Sequence, residues 1–129
     1  MNAKYLFICM FIITGSSSTY ADSYNKGYKT GYKAGKVDGS VQGEMDGRKV
    51  ADAEWKGSVV SNKAKTEPTT VPVDDYIGNR EFNNDHEQQE WVRGFTDGYK
   101  SGWTDVHQIA YVKGYNYAVK ILEEQSRSR

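Results

Sequence analysis

Glycine recurs at every fourth position in the run GYKTGYKAGKVDGSVQGEMDG, at 27, 31, 35, 39, 43 and 47, with none between. Few regular structures can hold such a run, because glycine is the residue a helix interior tolerates least after proline. The period returns later in the chain. In WVRGFTDGYKSGWTDVHQIAYVKGYNYAVK small residues stand at 94, 98, 102, 110, 114 and 118, and Val106 is the one interruption. One position after these small residues runs a second row, Trp91, Phe95, Tyr99, Trp103, His107, Tyr111, Tyr115 and Val119. The first array begins the same way, with Tyr24, Tyr28 and Tyr32 beside its glycines, and its small row closes with Ala51 and Trp55.

A period of four places the glycines on one face of either a strand or a helix. Strands here would be far longer than the usual length of about 5–6 residues and would be rich in Lys, Glu, Gln, Met and Ala. In a helix, residues four apart are surface neighbours, so each array becomes a small groove flanked by an aromatic or aliphatic ridge. Ten glycines inside helices cost roughly 8–10 kcal/mol relative to alanine. Close approach of a second helix backbone, with the ridge of one helix lying in the groove of the other, is the expected source of compensation. The helix-packing groove comprises Gly27, Gly31, Gly35, Gly39, Gly43, Gly47, Gly94, Gly98, Gly102 and Gly114. The aromatic ridge comprises Trp91, Phe95, Tyr99, Trp103, Tyr111 and Tyr115. Leucine at Gly98 or Gly102 is expected to disrupt this packing and alanine to be mild. A four-residue step overshoots one helical turn by about 40°, so the stripe winds right-handedly around each helix in the manner of a coiled coil. One straight neighbour cannot follow it for long, so either the helices wrap around one another in a right-handed crossing or successive glycines meet different partners, and self-association is expected.

The chain opens MNAKYLFICMFIITGSSSTYADS, with a single lysine, an apolar run too short to span a bilayer, and Thr19-Tyr20-Ala21 as a cleavage signature. Residues 1–21 read as a signal peptide, and a periplasmic or secreted location follows. Removing them also removes the only cysteine, Cys9, so the mature chain of about 108 residues must rely on packing or oligomerisation rather than disulfides. The formal net charge of +0 carries no basic excess of the kind nucleic-acid binders show, and no nucleic-acid partner is expected. The loop from 58 to 85 contains Pro68 and Pro72 and Asn/Asp/Gly clusters, and it continues neither helix. At its far end Asn84 with Glu87, or Asp85 with Gln88, has capping-box spacing.

The Gly-Tyr-x-x-Gly-Tyr-x-x-Gly run at 27 to 35 and the Gly-Phe-x-x-Gly-Tyr-x-x-Gly run at 94 to 102 resemble two kinds of glycine-repeat helical protein. One is the Gly-x-x-x adaptor family of the eukaryotic cytosol. The other is the glycine-repeat segment of stators that hold flagellar and type III secretion ATPases. The resemblance covers about half of the mature chain, and it implies helices used for protein-protein contacts without catalysis. The signal peptide departs from both families, which are cytosolic.

Catalytic and metal chemistry find little support in the residues. His107 sits in the aromatic row between Trp103 and Tyr111, where a packed histidine is the ordinary reading. Asp97 and Asp105 share its helix but not one tight face with it. His86 lies beside Asp85 at a helix start, where capping explains its neighbourhood. No metal-ligand spacing occurs, and no cofactor is expected. Lys26, Lys29, Lys33 and Lys36 interleave with Tyr24, Tyr28 and Tyr32, and this strip is the candidate anion-binding site for an envelope polymer or membrane surface.

The sequence therefore predicts an all-α protein. Its parts are a signal peptide over 1–21, a glycine-repeat helix within 22–57, a Pro-containing irregular loop over 58–85, a glycine/aromatic helix within 86–125 and a tail over 126–129. The two helices are expected to form an antiparallel hairpin, with no transmembrane span once the signal is removed. The expected function is a non-enzymatic interaction protein of the bacterial cell envelope that binds a protein partner or itself. The alternatives are an anionic-polymer binder and a small inhibitor of a secreted enzyme acting through the loop around Asp74 to Asn84.

Overall fold

The computed structural model describes residues 3–58 and 65–129, with side chains from Tyr20 onward. The side chains of the expected signal peptide through residue 19, and loop positions 59–64, lie outside the described residues. Three helices follow in chain order: α1 (Ala3–Trp55), the five-residue α2 (Val73–Ile77) and α3 (Asp85–Arg127), with no strand among the described residues. The all-α fold and the two long packed helices expected from the glycine period are present, and a loop joins them. Asn84 caps α3, its side chain accepting from the Glu87 N–H at 2.8 Å. The Glu87 carboxylate reaches back to the Asn83 N–H at 3.1 Å, so the return bond of the capping box falls one residue upstream.

The helices run parallel, and the expected antiparallel hairpin is corrected on this point. Gly27, Gly31, Gly35, Gly39, Gly43 and Gly47 face Trp91, Phe95, Tyr99, Trp103, His107 and Tyr111 in that order. The sequence separation stays constant along the pair, whereas an antiparallel pair would hold the sum constant. Reciprocally, Gly94, Gly98 and Gly102 face Tyr24, Tyr28 and Tyr32. Cross-helix hydrogen bonds keep the same sense, with Tyr24 to Asp97 and Tyr32 to Asp105 both 73 residues apart, and Tyr99 to Asp38 and His107 to Asp46 both 61 apart.

The contact advances four residues per turn from Ser23 to Ala51 without leaving the buried row. An α-helix has 3.6 residues per turn, so contact maintained at a period of 4 requires the two helices to coil around each other in a right-handed sense.

Glycine permits an approach of backbone to backbone, not of ridge into groove. A Cβ at any of the ten groove glycines would lie under 3.0 Å from a carbonyl oxygen of the opposite helix. The hydrogen that occupies that direction on glycine therefore points at the carbonyl, in the Cα–H···O arrangement seen where helices meet closely. Ten such contacts at about 0.5–1 kcal/mol each return about 5–10 kcal/mol. That is the same size as the roughly 8–10 kcal/mol lost by using glycine instead of alanine. The aromatic rings flank the contact instead of filling it, and their burial is a separate contribution.

Parallel helices need a connection that returns along their length. From the end of α1 back to the level of Ser23 is about 48 Å, well within the reach of the 56–84 segment. Its described part, residues 65–84, is a packed strap. Thr66 accepts a hydrogen bond from the Thr104 hydroxyl at 3.3 Å, Tyr76 lies 5.2 Å from the Phe95 ring, and Phe82 lies 6.2 Å from the Trp91 ring. As the strap advances its partners on α3 recede, so it runs antiparallel to α3. Val71, Val73, Ile77 and Phe82 pack on the core of Ala34, Trp91, Phe95, Tyr99 and Trp103. The expected irregular loop thus contains α2 and forms the third layer over one half of the pair.

Candidate interaction surface

Contact at a period of four divides each helix into four rows. The small row is buried against the opposite backbone. The row after it carries the aromatics, the row before it includes Asp38, Asp46, Glu54, Asp97 and Asp105, and the remaining row of α1 points outward. Two parallel helices set the aromatic row of one beside the acceptor row of the other on both sides of the contact.

The polar links follow from that pairing. On one side the Tyr24 and Tyr32 hydroxyls donate to Asp97 and Asp105 at 2.8 and 2.7 Å. On the other side Tyr99 donates to Asp38 at 2.7 Å, His107 Nε2 meets Asp46 at 3.0 Å, and Tyr115 donates to Glu54. Asp38, Asp46, Glu54, Asp97 and Asp105 were not singled out from the sequence as site residues. Their signal was nonetheless present, because four of them directly precede a member of the small row or its Val106 interruption, and Glu54 directly precedes Trp55.

These bonds shift the titration of their members. The hydrogen bond to a carboxylate, reinforced by desolvation, raises the Tyr24, Tyr32 and Tyr115 hydroxyls. Burial first, and then the bond to Asp38, raises Tyr99 far above the usual tyrosine range. Tyr111 is raised by burial and by the nearby charges of Glu54 and Asp46. Burial pushes Asp46 upward, but hydrogen bonds from His107 and Gln42, with the charge of Lys65, outweigh it and hold the carboxyl below its usual range. The Asp46 carboxylate can only accept, so the proton between them sits on His107 Nε2. The ring stacks on Trp103 at 4.1 Å, and its Nδ1 is buried without a hydrogen-bond partner among the described residues. His107 is 1 % exposed, so it holds the two helices together and offers no accessible base.

The ten groove glycines all face the opposite helix of the same chain and form no open groove. Of the ridge, Trp91, Phe95, Tyr99 and Trp103 are buried, beneath the strap, whereas Tyr111 and Tyr115 are half-buried. Lys26, Lys29, Lys33 and Lys36 are all exposed, and Lys36 Nζ lies 5.6 Å from the Tyr32 ring. Tyr24, Tyr28 and Tyr32 form a ladder with 6.2 Å between successive rings, with the Arg93 guanidinium 4.8 Å from Tyr24. The loop around Asp74 to Asn84 is seated on the core, with Arg80 4.8 Å over the Trp91 ring and Asp74 and Asp75 exposed. His86 lies against Tyr20 at 4.2 Å.

The outward row of α1 reads Lys29, Lys33, Val37, Val41, Met45 and Lys49, all exposed. On α3, Ile109, Val112 and Tyr117 are exposed. Among the described residues, no helix is long and apolar enough to cross a membrane, and no group of three His, Cys, Asp or Glu side chains could hold a metal ion. Comparison with family models, curated proteins and solved structures returns no match to this chain.

Proposed function

We propose that this chain is an exported, non-enzymatic interaction protein of the bacterial cell envelope that presents the outward rows of a parallel helix pair to a protein partner. The observation that carries this reading is that the glycine rows are consumed within the chain. The large apolar side chains Val37, Val41, Met45, Ile109 and Val112 are left facing solvent. A monomer gains nothing from outward apolar side chains in regular helical register, and such surfaces mark interaction sites. The leader-like first 21 residues support export. Binding of an anionic polymer is a second reading, favoured by the exposure of all four lysines of the Tyr/Lys strip.

Photo-crosslinking in the producing cell, combined with fractionation, tests the reading. A photoreactive side chain at Val41 or Ile109 should capture a discrete protein from the envelope fraction, and one at buried Trp103, where a large ring already stands, should capture only its own chain. A cytosolic chain that retains residues 1–21, or equal capture from all three positions, would overturn it.

A further inference from the structure

The carboxylates of α1 near its middle are turned inward. Asp38 accepts from Tyr99, Asp46 meets His107, and Glu44 pairs with Lys113 of α3 at 3.1 Å. The outward row is left with lysines and apolar side chains. Val37, Val41 and Met45 are 63, 57 and 46 % exposed, and Lys33 and Lys49 bracket them one step away on either side. The apolar ridge is about 12 Å long and the two lysines are about 24 Å apart, the length of a helix of some sixteen residues.

We infer that this strip docks an amphipathic helix of a partner protein that carries apolar residues at its centre and acidic residues at both ends. The inference rests on the interaction reading above and specifies the chemistry of the partner. A second copy of the chain is disfavoured by charge. A two-fold antiparallel pairing centred on Val41 sets Lys33 against the other copy's lysine at 49, and a parallel pairing sets each lysine against itself. An anionic lipid surface is disfavoured because the ridge is only one row wide: the adjoining rows carry Asp38, Gln42 and Asp46 on one side and Lys36, Ser40, Glu44 and Arg48 on the other, so no second apolar row is there to enter a bilayer. A helix with acidic ends meets the lysines and leaves the flanking carboxylates at its margins.

The test uses the full chain and a labelled 20-residue helical peptide with leucines on one face at its centre and glutamates at the ends of that face. A twin peptide carries lysines in place of the glutamates. Fluorescence anisotropy should show saturable binding of the acidic peptide that weakens as salt is raised. Binding should fall about tenfold or more in Val41→Glu, whose exposed position leaves the fold unchanged by circular dichroism. Lys33→Glu/Lys49→Glu should exchange the preference toward the lysine-ended peptide. Equal binding of the two peptides, or absence of binding to both, overturns the inference. So does loss of vesicle binding in Val41→Glu on phosphatidylglycerol vesicles when the peptides do not bind, or a sedimenting dimer that Val41→Glu dissociates. Absence of peptide binding with intact crosslinking from Ile109 would remove this strip and leave the broader interaction reading standing.

Discussion

The carbonyl oxygen of Trp91 occupies the space that a Cβ on Gly27 would need, and the same clash recurs at every groove glycine down the pair. The obstructing atom is backbone, so it cannot rotate aside as a side chain would. Alanine at Gly98 is therefore not the mild change its high helix propensity suggests, because its methyl would meet the Tyr28 carbonyl. Gly98→Ala should lower stability by roughly 1–3 kcal/mol despite the propensity gain. Urea unfolding followed by circular dichroism reads this as a lower midpoint with an unchanged slope.

Helix direction is open to a distance measurement. Lys29 and Lys100 lie within about one helical turn of each other along the axis of a parallel pair, whereas Lys29 and Lys120 are separated by about 36 Å. Spin labels at the first pair of positions should give the short distance and at the second the long one. The reverse order would restore the antiparallel arrangement.

That direction was legible in principle. Asp38, Asp46, Asp97 and Asp105 precede the small row or its Val106 interruption, and the aromatics follow it. In an antiparallel pair, like rows share a side, so carboxylates would face carboxylates and hydroxyls would lack acceptors. Only the parallel pair sets Tyr99 against Asp38 and Tyr32 against Asp105. The glycine period was enough to place the two long helices and the buried row, and capping-box spacing narrowed the start of α3 to Asn84 or Asp85, because each rests on local spacing. The strap was not legible, because Val71, Val73 and Phe82 have no period, and their burial depends on a ridge that exists only once α3 is formed.

The Tyr99–Asp38 link should show coupling. Tyr99→Phe and Asp38→Asn each remove one partner and leave the other partly buried without its bond. The double variant should therefore be less destabilised than the sum of the two, by on the order of 1 kcal/mol. A cycle in which the two changes simply add would mean that the bond carries no net energy.

The strap predicts a difference between the two halves of the pair. Phe82→Ala removes a ring from the Trp91 face. It should cost less than the 3–5 kcal/mol typical of a fully buried phenylalanine, roughly 2 kcal/mol, because Phe82 is only half-buried. Hydrogen exchange should accelerate around Trp91 to Tyr99 and remain unchanged beyond Ala110, far from the Phe82 contact.

The raised tyrosines set the alkaline limit of stability. Tyr24, Tyr32, Tyr99, Tyr111 and Tyr115 all hold their protons more tightly in the folded chain than a free tyrosine does. Their contribution is therefore fully present below the unfolded value of about 10 and is lost as pH rises above it, because the unfolded chain releases protons that the folded chain retains. Asp46 acts in the opposite direction, since its lowered carboxyl contributes above the unfolded carboxylate range and that contribution is lost as pH falls through it. Thermal midpoints measured from pH 3 to 12 should form a plateau that falls at both ends. Tyr99→Phe should lower the plateau and flatten the alkaline fall, because its variant has no proton to release. An alkaline limb unchanged in Tyr99→Phe would remove this hydroxyl from the account.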